Sequence, residues 1–271
     1  MDKKELGIIE DTLFVPMLGR IYASEYCRSV LYDEKALALK PHLPENVTQT
    51  DTQTQYTYLA SATRSANMDR SIKDFLSRKP NGVIAQLGCG LETTFYRNDD
   101  GHAQWYGVDL PHVIEYRRSL LPETKREHYI AEDAFEKDWL LQIRKWHPSS
   151  PLLITASGLL YYFEEDQVIT LIRMLQGHGD VEFLFDTVNK NGMVMMRKKH
   201  MKTVGHTDAQ MFFCVDSARE LTRKVGGQVS VLKEEDFYRQ INKSGLHLST
   251  KASMIISDLL HMVKIIHLEL M

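Results

Sequence analysis

Cysteine is scarce in this chain: three residues in 271, Cys27, Cys89 and Cys214, unevenly spaced and with no C-x-x-C. That excludes a disulfide framework and a thiolate zinc site, and it makes a reducing cytoplasm the simplest expected setting. The eleven histidines form no H-E-x-x-H or H-x-x-x-H pattern, so no metal site is expected from them. No apolar run approaches the ~20 residues of a membrane-spanning helix. The opening MDKKELGIIEDTLF is charged and lacks the apolar stretch of a secretory signal. A dominant charge is missing too: 33 basic against 36 acidic side chains leave −3, with no general attraction to nucleic acid or to an anionic membrane. There is no D-P-P-Y-type segment and no extended basic face, which speaks against nucleic acid as the substrate.

What remains is ordinary globular material, 43% hydrophobic and 25% charged, long enough for one sizeable domain. Residues 1–78 read as mostly helical, closed off at Pro41-His42-Leu43-Pro44 and again at Lys79-Pro80, with a polar loop over 45–55. From residue 83 the pattern changes. Apolar strands at 83–87, 105–109, 128–132, 152–157 and 181–186 alternate with helical segments at 111–120, 135–145 and 164–176. Such alternation predicts a parallel sheet covered on both faces. The last quarter suggests a closing strand pair, 211–215 (MFFCV) and 228–232 (QVSVL), around a helix over 216–225, then a terminal helix over 251–269.

The most informative stretch is IAQLGCGLETTFYR (84–97), followed by WYGVDLP (105–111). A strand ends in Gly88-Cys89-Gly90, a helix begins, and the next strand ends in Asp109. Glycines permit a sharp turn and close approach of a cofactor, and an acid at the second strand tip accepts hydrogen bonds from ribose hydroxyls. The dinucleotide fingerprint is incomplete, because Thr93 stands where a third glycine would. Glu92 would repel a phosphate but suit a sulfonium, so the loop fits S-adenosylmethionine better than a nicotinamide dinucleotide. Asp109 has an alternative reading as the cap of a helix starting at Pro111. Asp133 and Ala134, ending the third strand, read equally as an adenine contact or as a capping turn.

These motifs resemble the leucine carboxyl methyltransferase family and its tetracenomycin-type bacterial branch, which carry L-G-x-G-x-D-T-x-x-[YFW]-R followed by V-D-[LF]-P. RSVLYDEKAL (28–37), ATRSANMDR (62–70) and SGLLYYFEEDQV (157–168) agree with it, over most of residues 12–190. The resemblance implies a class I methyltransferase fold: a Rossmann-like, seven-stranded, mostly parallel α/β sheet with helices on both faces. Residues 1–80 would form an N-terminal helical cover within the same domain, and 81–271 the S-adenosylmethionine-binding part, with a late insert near 189–210. It implies donor contacts at Arg64, Gly88, Cys89, Gly90, Asp109, Leu110, Asp133, Ala134 and Ser157. Arg64 would reach the carboxylate of the donor's methionine part, a planar fork suited to two-point binding. Its alternative is a solvated helix arginine, with Asp69 and Arg70 as a neighbouring pair. Arg20 is a further basic candidate for the donor.

Two positions depart from the family. Ser157 replaces a glutamate, which weakens assignment to the protein-modifying branch, and Glu92 replaces an aspartate. The expected reaction is O-methylation of a small-molecule carboxylate such as a polyketide acid. Methylation of a protein C-terminus, a nicotinamide-dependent oxidoreductase and a non-catalytic S-adenosylmethionine-binding module are the alternatives. Were the acceptor a hydroxyl, a base would be needed, and Tyr161 or Tyr162 above the sheet would be the candidates. Packing is the commoner use of such tyrosines.

Overall fold

Val83–Leu87, the sequence VIAQL, forms β1 and is buried along its whole length. Leu152–Ala156 (β4) and Val181–Val188 (β5) are buried throughout as well. Strands hidden on both faces need apolar groups at every position, so they read as continuous hydrophobic runs. With β2 (Gln104–Asp109), β3 (Glu127–Ala131), β6 (Val229–Asp236) and β7 (Val263–Leu270) they form one sheet in the order β3-β2-β1-β4-β5-β7-β6. The first five are parallel, and β7 runs antiparallel between β5 and β6. This computed structural model describes residues 3–44, 53–203 and 211–271. The polar loop read over 45–55 and part of the late segment near 189–210 lie largely outside them.

Helices cover both faces. On one, α3 (Gln55–Arg78) sets Leu59, Met68, Ile72 and Phe75 against Ile84, Trp105, Leu153 and Leu184 of the strands. Met254 of α10 (Leu248–Leu259) joins them, as does Phe95 of the short α4 (Thr94–Asn98). On the other face lie α6 (Asp138–Trp146), α7 (Glu165–Leu175) and α9 (Ala218–Val225), whose Trp139, Ile143, Ile172 and Leu221 meet Val83, Ala85, Ile154, Phe183 and Phe185. A capping box between Glu164 and Gln167 starts α7. Burial of each such side chain is worth roughly 1.5–3 kcal/mol. The segment before β1 therefore supplies one whole layer helix of the sandwich. Its other helices, α1 (Lys3–Tyr26) and α2 (Glu34–Leu39), lie over the loop after β1, with Leu13, Phe14, Met17, Ala36 and Leu39 packed on Leu91 and on Val113 of α5 (Pro111–Leu120).

The late region corrects two expectations. The predicted terminal helix over 251–269 is α10 followed by strand β7, whose interior is buried on both sides between β5 and β6. A doubly covered strand loses the two-residue alternation that would have marked it. The predicted strand 211–215 is extended and alternately buried but joins no sheet. It crosses the strand ends, where Phe212 N donates to Tyr161 O (2.7 Å) and Val215 N to Val188 O (2.7 Å). The closing pair is thus β6 and β7. Residues Lys190–Thr203 form α8.

Candidate active site at the carboxyl edge of the sheet

The strand register aligns Leu87 with Val108 and with Ala156, and Ala156 with Phe185. One residue further along these strands stand Gly88, Asp109, Ser157 and Asp186, a single row at the carboxyl edge. From β1 the chain runs outward through β2 and β3 on one side and then crosses back to β4 on the other, so this row spans the topological switch point where ligands of such sheets bind. Gly88 (φ 61°) and Gly90 (φ 43°) take left-handed backbone. A Cβ there would stand 2.8 Å from Leu159 Cδ1 or 2.9 Å from Leu13 Cδ2. Their left-handed backbone favours glycine at both positions, and a side chain there would also have to displace a leucine methyl.

Asp109 is held by two backbone donors: Gly90 N to Oδ2 (2.8 Å) and Leu110 N to Oδ1 (2.8 Å). It does not cap α5, whose N-cap is Leu110. Burial pushes its carboxyl pKa up, against the two N–H groups. Each oxygen retains acceptor capacity toward a hydroxyl. Beside it Leu110 is 41% exposed, although leucine is usually hidden. Across the β3 tip, Asp133 is exposed and its Oδ1 accepts from Phe135 N (2.9 Å), a local turn rather than a helix cap. Ala134 is half-buried and its carbonyl accepts from Trp139 Nε1. Cys89 sits differently. Its side chain is buried with Sγ against Gly107, its N–H bonds Val108 O and its C=O accepts from Glu92 N. Burial pushes the thiol up to about 12, so Cys89 packs beneath the turn and presents no reactive group.

Three arginines clamp the loop: Arg97 ends the motif that carries the family resemblance, Arg20 is the further basic candidate for the donor, and Arg117 gives no sequence signal. Arg117 Nη1 donates to Gly90 O (2.9 Å) and Glu92 O (2.8 Å), while its Nη2 pairs with Glu127 (2.8 Å). Arg20 Nη2 donates to Leu91 O (2.8 Å) and Nη1 to Glu92 Oε1 (2.5 Å). Arg97, the arginine of LETTFYR, bonds Asp33 and Asp69. Burial alone would lower Arg97's pKa, but Asp69, Asp33 and Glu92 outweigh it and hold it raised. Arg20 is thus a buried support of the loop, and Glu92 faces Arg20 and Arg97 rather than forming an acidic wall for a ligand. Nor do Asp69 and Arg70 pair with each other: Asp69 holds Arg97 and Asn98, and Arg70 reaches Glu235.

On the β4–β5 side, Arg64 Nε donates to Asp186 Oδ2 (2.6 Å) with 19% of the arginine side chain exposed. Ser157 is half-buried beside it in the row. Tyr161 is buried and its hydroxyl donates to Asp186 Oδ2 (2.7 Å). Burial and the adjacent Asp186 raise its pKa well above the ordinary phenol value, so its hydroxyl rests protonated. Tyr162 is half-buried, with its pKa raised by burial. Sequence reasoning also passed over His112, one residue past Pro111. Its Nε2 is buried without a hydrogen-bond partner, and its ring acts electrostatically on Asp109.

The model of the family described as leucine carboxyl methyltransferase matches residues 2–176. The chain belongs to that family. It is similar to the tetracenomycin polyketide synthesis O-methyltransferase TcmP of Streptomyces glaucescens, 26% identical over 81% of this chain and 80% of the relative. It is also similar to the S-adenosyl-L-methionine-dependent methyltransferase dpfgK of Gibberella zeae, at 24% identity over 80% and 79%. Among solved structures, a DUF574 family protein from Streptomyces avermitilis superposes with a TM-score of 0.59 at 11% identity, covering 93% of this chain and 97% of that one. A candidate methyltransferase from Thermobifida fusca gives 0.57 at 15%, covering 94% of each. The fold is the class I methyltransferase fold, and the protein is an S-adenosylmethionine-dependent methyltransferase. The nicotinamide alternative falls with that assignment. The residues at the row suit the donor: glycines that leave room, an acid with free acceptor capacity, an orphaned His112 nitrogen and a partly open arginine.

Proposed function

We propose that the protein transfers the methyl group of S-adenosylmethionine to an oxygen of a small organic acid, giving a methyl ester. The observation that supports this reading is the state of Tyr161, the buried phenol on the loop after β4, whose hydroxyl keeps its proton in a hydrogen bond to Asp186 and so is not poised to take one from an acceptor. A carboxylate, with a free pKa near ~4, arrives ionised and needs none. The donor, when bound, supplies a methyl on a positively charged sulfur. This chain's residues bind and align. In this reading Asp109 takes the ribose hydroxyls, Leu110, Asp133 and Ala134 flank the adenine, and Gly88 and Gly90 with the Cys89 backbone shape the turn. Arg64 takes the methionine carboxylate and Ser157 lines the floor. Holding the oxygen, methyl carbon and sulfur in line can supply roughly 7–11 kcal/mol of barrier reduction.

The polyketide O-methyltransferase named among the relatives supports a small acceptor. Three free cysteines suit a reducing cytoplasm, and among the described residues no helix is long and apolar enough to cross a membrane. The test is incubation with methyl-labelled donor and a panel of aromatic acids, phenols and a peptide with a free C-terminal carboxylate, followed by mild base. Base-labile label on the small acids is expected. Label that resists base, or that enters only the peptide or phenols, overturns the reading.

A further inference from the structure

Asp186 stands in the same row as Gly88, Asp109 and Ser157, yet it is fully buried and cannot itself meet a ligand. Three donors of this chain converge on it. Oδ1 accepts from Gly158 N (2.7 Å), and Oδ2 from Arg64 Nε (2.6 Å) and from the Tyr161 hydroxyl (2.7 Å). Gly158 completes the arrangement. At φ 70° it lies so close under the guanidinium that a Cβ would be 2.8 Å from Arg64 Nη1 and 3.0 Å from Cζ. An arginine on a flexible stem normally loses rotamer freedom when it binds an anion. Here the loss is taken on folding: the carboxylate pins one nitrogen of the fork and the bare glycine seats its plane.

We propose that Asp186 is a positioning residue of the donor site, which with Gly158 fixes Arg64 so that the Nη edge of its guanidinium is presented to the carboxylate of S-adenosylmethionine. This rests on the donor site assigned above. A plain ion pair fastening α3 to the sheet would use the same bonds, so the test must separate the two. Calorimetry compares S-adenosylmethionine with 5′-methylthioadenosine, which keeps the nucleoside and sulfur but lacks the amino-acid end. For Asp186→Asn, which leaves Arg64 with a neutral acceptor, affinity for S-adenosylmethionine falls by about tenfold or more. Affinity for methylthioadenosine stays within about twofold. Arg64→Lys, which keeps the charge but loses the fork, shows the same split.

Equal loss for both ligands, or unchanged binding of both, overturns the proposal. If Asp186→Asn does not fold, Gly158→Ala displaces the guanidinium with the carboxylate intact, and the same split is required of it. Failure of the unaltered protein to bind S-adenosylmethionine would sink the donor site itself. Tight binding by both the unaltered protein and Asp186→Asn would sink only the role of Asp186.

Discussion

Asp109 and Arg97 lie nineteen and four positions from Gly90 and Thr93, their respective partners at the glycine turn, yet they act on it in different ways. Asp109 is held by two N–H groups and keeps acceptor capacity, so Asp109→Ala removes hydrogen bonds to a charged group. The expected cost is about 2–3 kcal/mol of donor affinity, read by titration calorimetry with little change in melting temperature. Arg97 is buried between Asp33 and Asp69. Arg97→Ala leaves buried Asp69 without its cation and Asp33 with Arg20 alone, and a urea titration is expected to show a loss of about 3–5 kcal/mol. Tyr161→Phe is the sharpest check on the chemistry. With the hydroxyl held protonated, turnover should stay within a few-fold and its pH profile should keep its shape. A fall on the order of 10²-fold or more would restore the tyrosine as a base.

Elements carry their own electrostatics, and β5 shows it at the end far from the site. Glu182 is buried there, 2.8 Å from His267 of β7 and 3.0 Å from both Arg78 nitrogens of α3, with Lys79 at 3.1 Å. Burial alone would raise its pKa, but these partners outweigh it and hold the carboxyl well below the usual range. A depressed folded pKa means that the stabilisation is present above the unfolded value of about 4.5 and is lost as the pH falls below it. Melting temperature should therefore drop between about pH 5 and 3, and Glu182→Gln should flatten that drop in scanning calorimetry. None of this was legible beforehand. The glycine turn and Asp109 could be read from the sequence because their partners are close in the chain. Glu182 and Asp186 sit inside the hydrophobic run VEFLFDTV, and their partners on α3 are more than a hundred residues away. The same distance hid the strand at 263–270, where burial on both faces erased the periodicity and a helix was read instead.

For the whole molecule, a donor site of the proposed kind, drawing on α3 and the tips of β1, β2 and β4, would link donor binding to global stability. At a hundredfold excess over its dissociation constant, S-adenosylmethionine should add about 2.7 kcal/mol. A rise in melting temperature of roughly 5–10 °C follows for a chain of this size, while NAD should leave it unmoved. Arrangement across the sheet has a further consequence for biosynthesis. Because β7 pairs with β5 on one side and β6 on the other, β6 has no partner until residues 263–270 leave the ribosome. Until then the nascent chain carries the eight-residue, apolar flank of β5 uncapped, a template for aberrant cross-chain pairing. A premature stop codon before residue 263 would make that transient exposure permanent, so such truncations should accumulate as aggregates rather than as weakened enzymes.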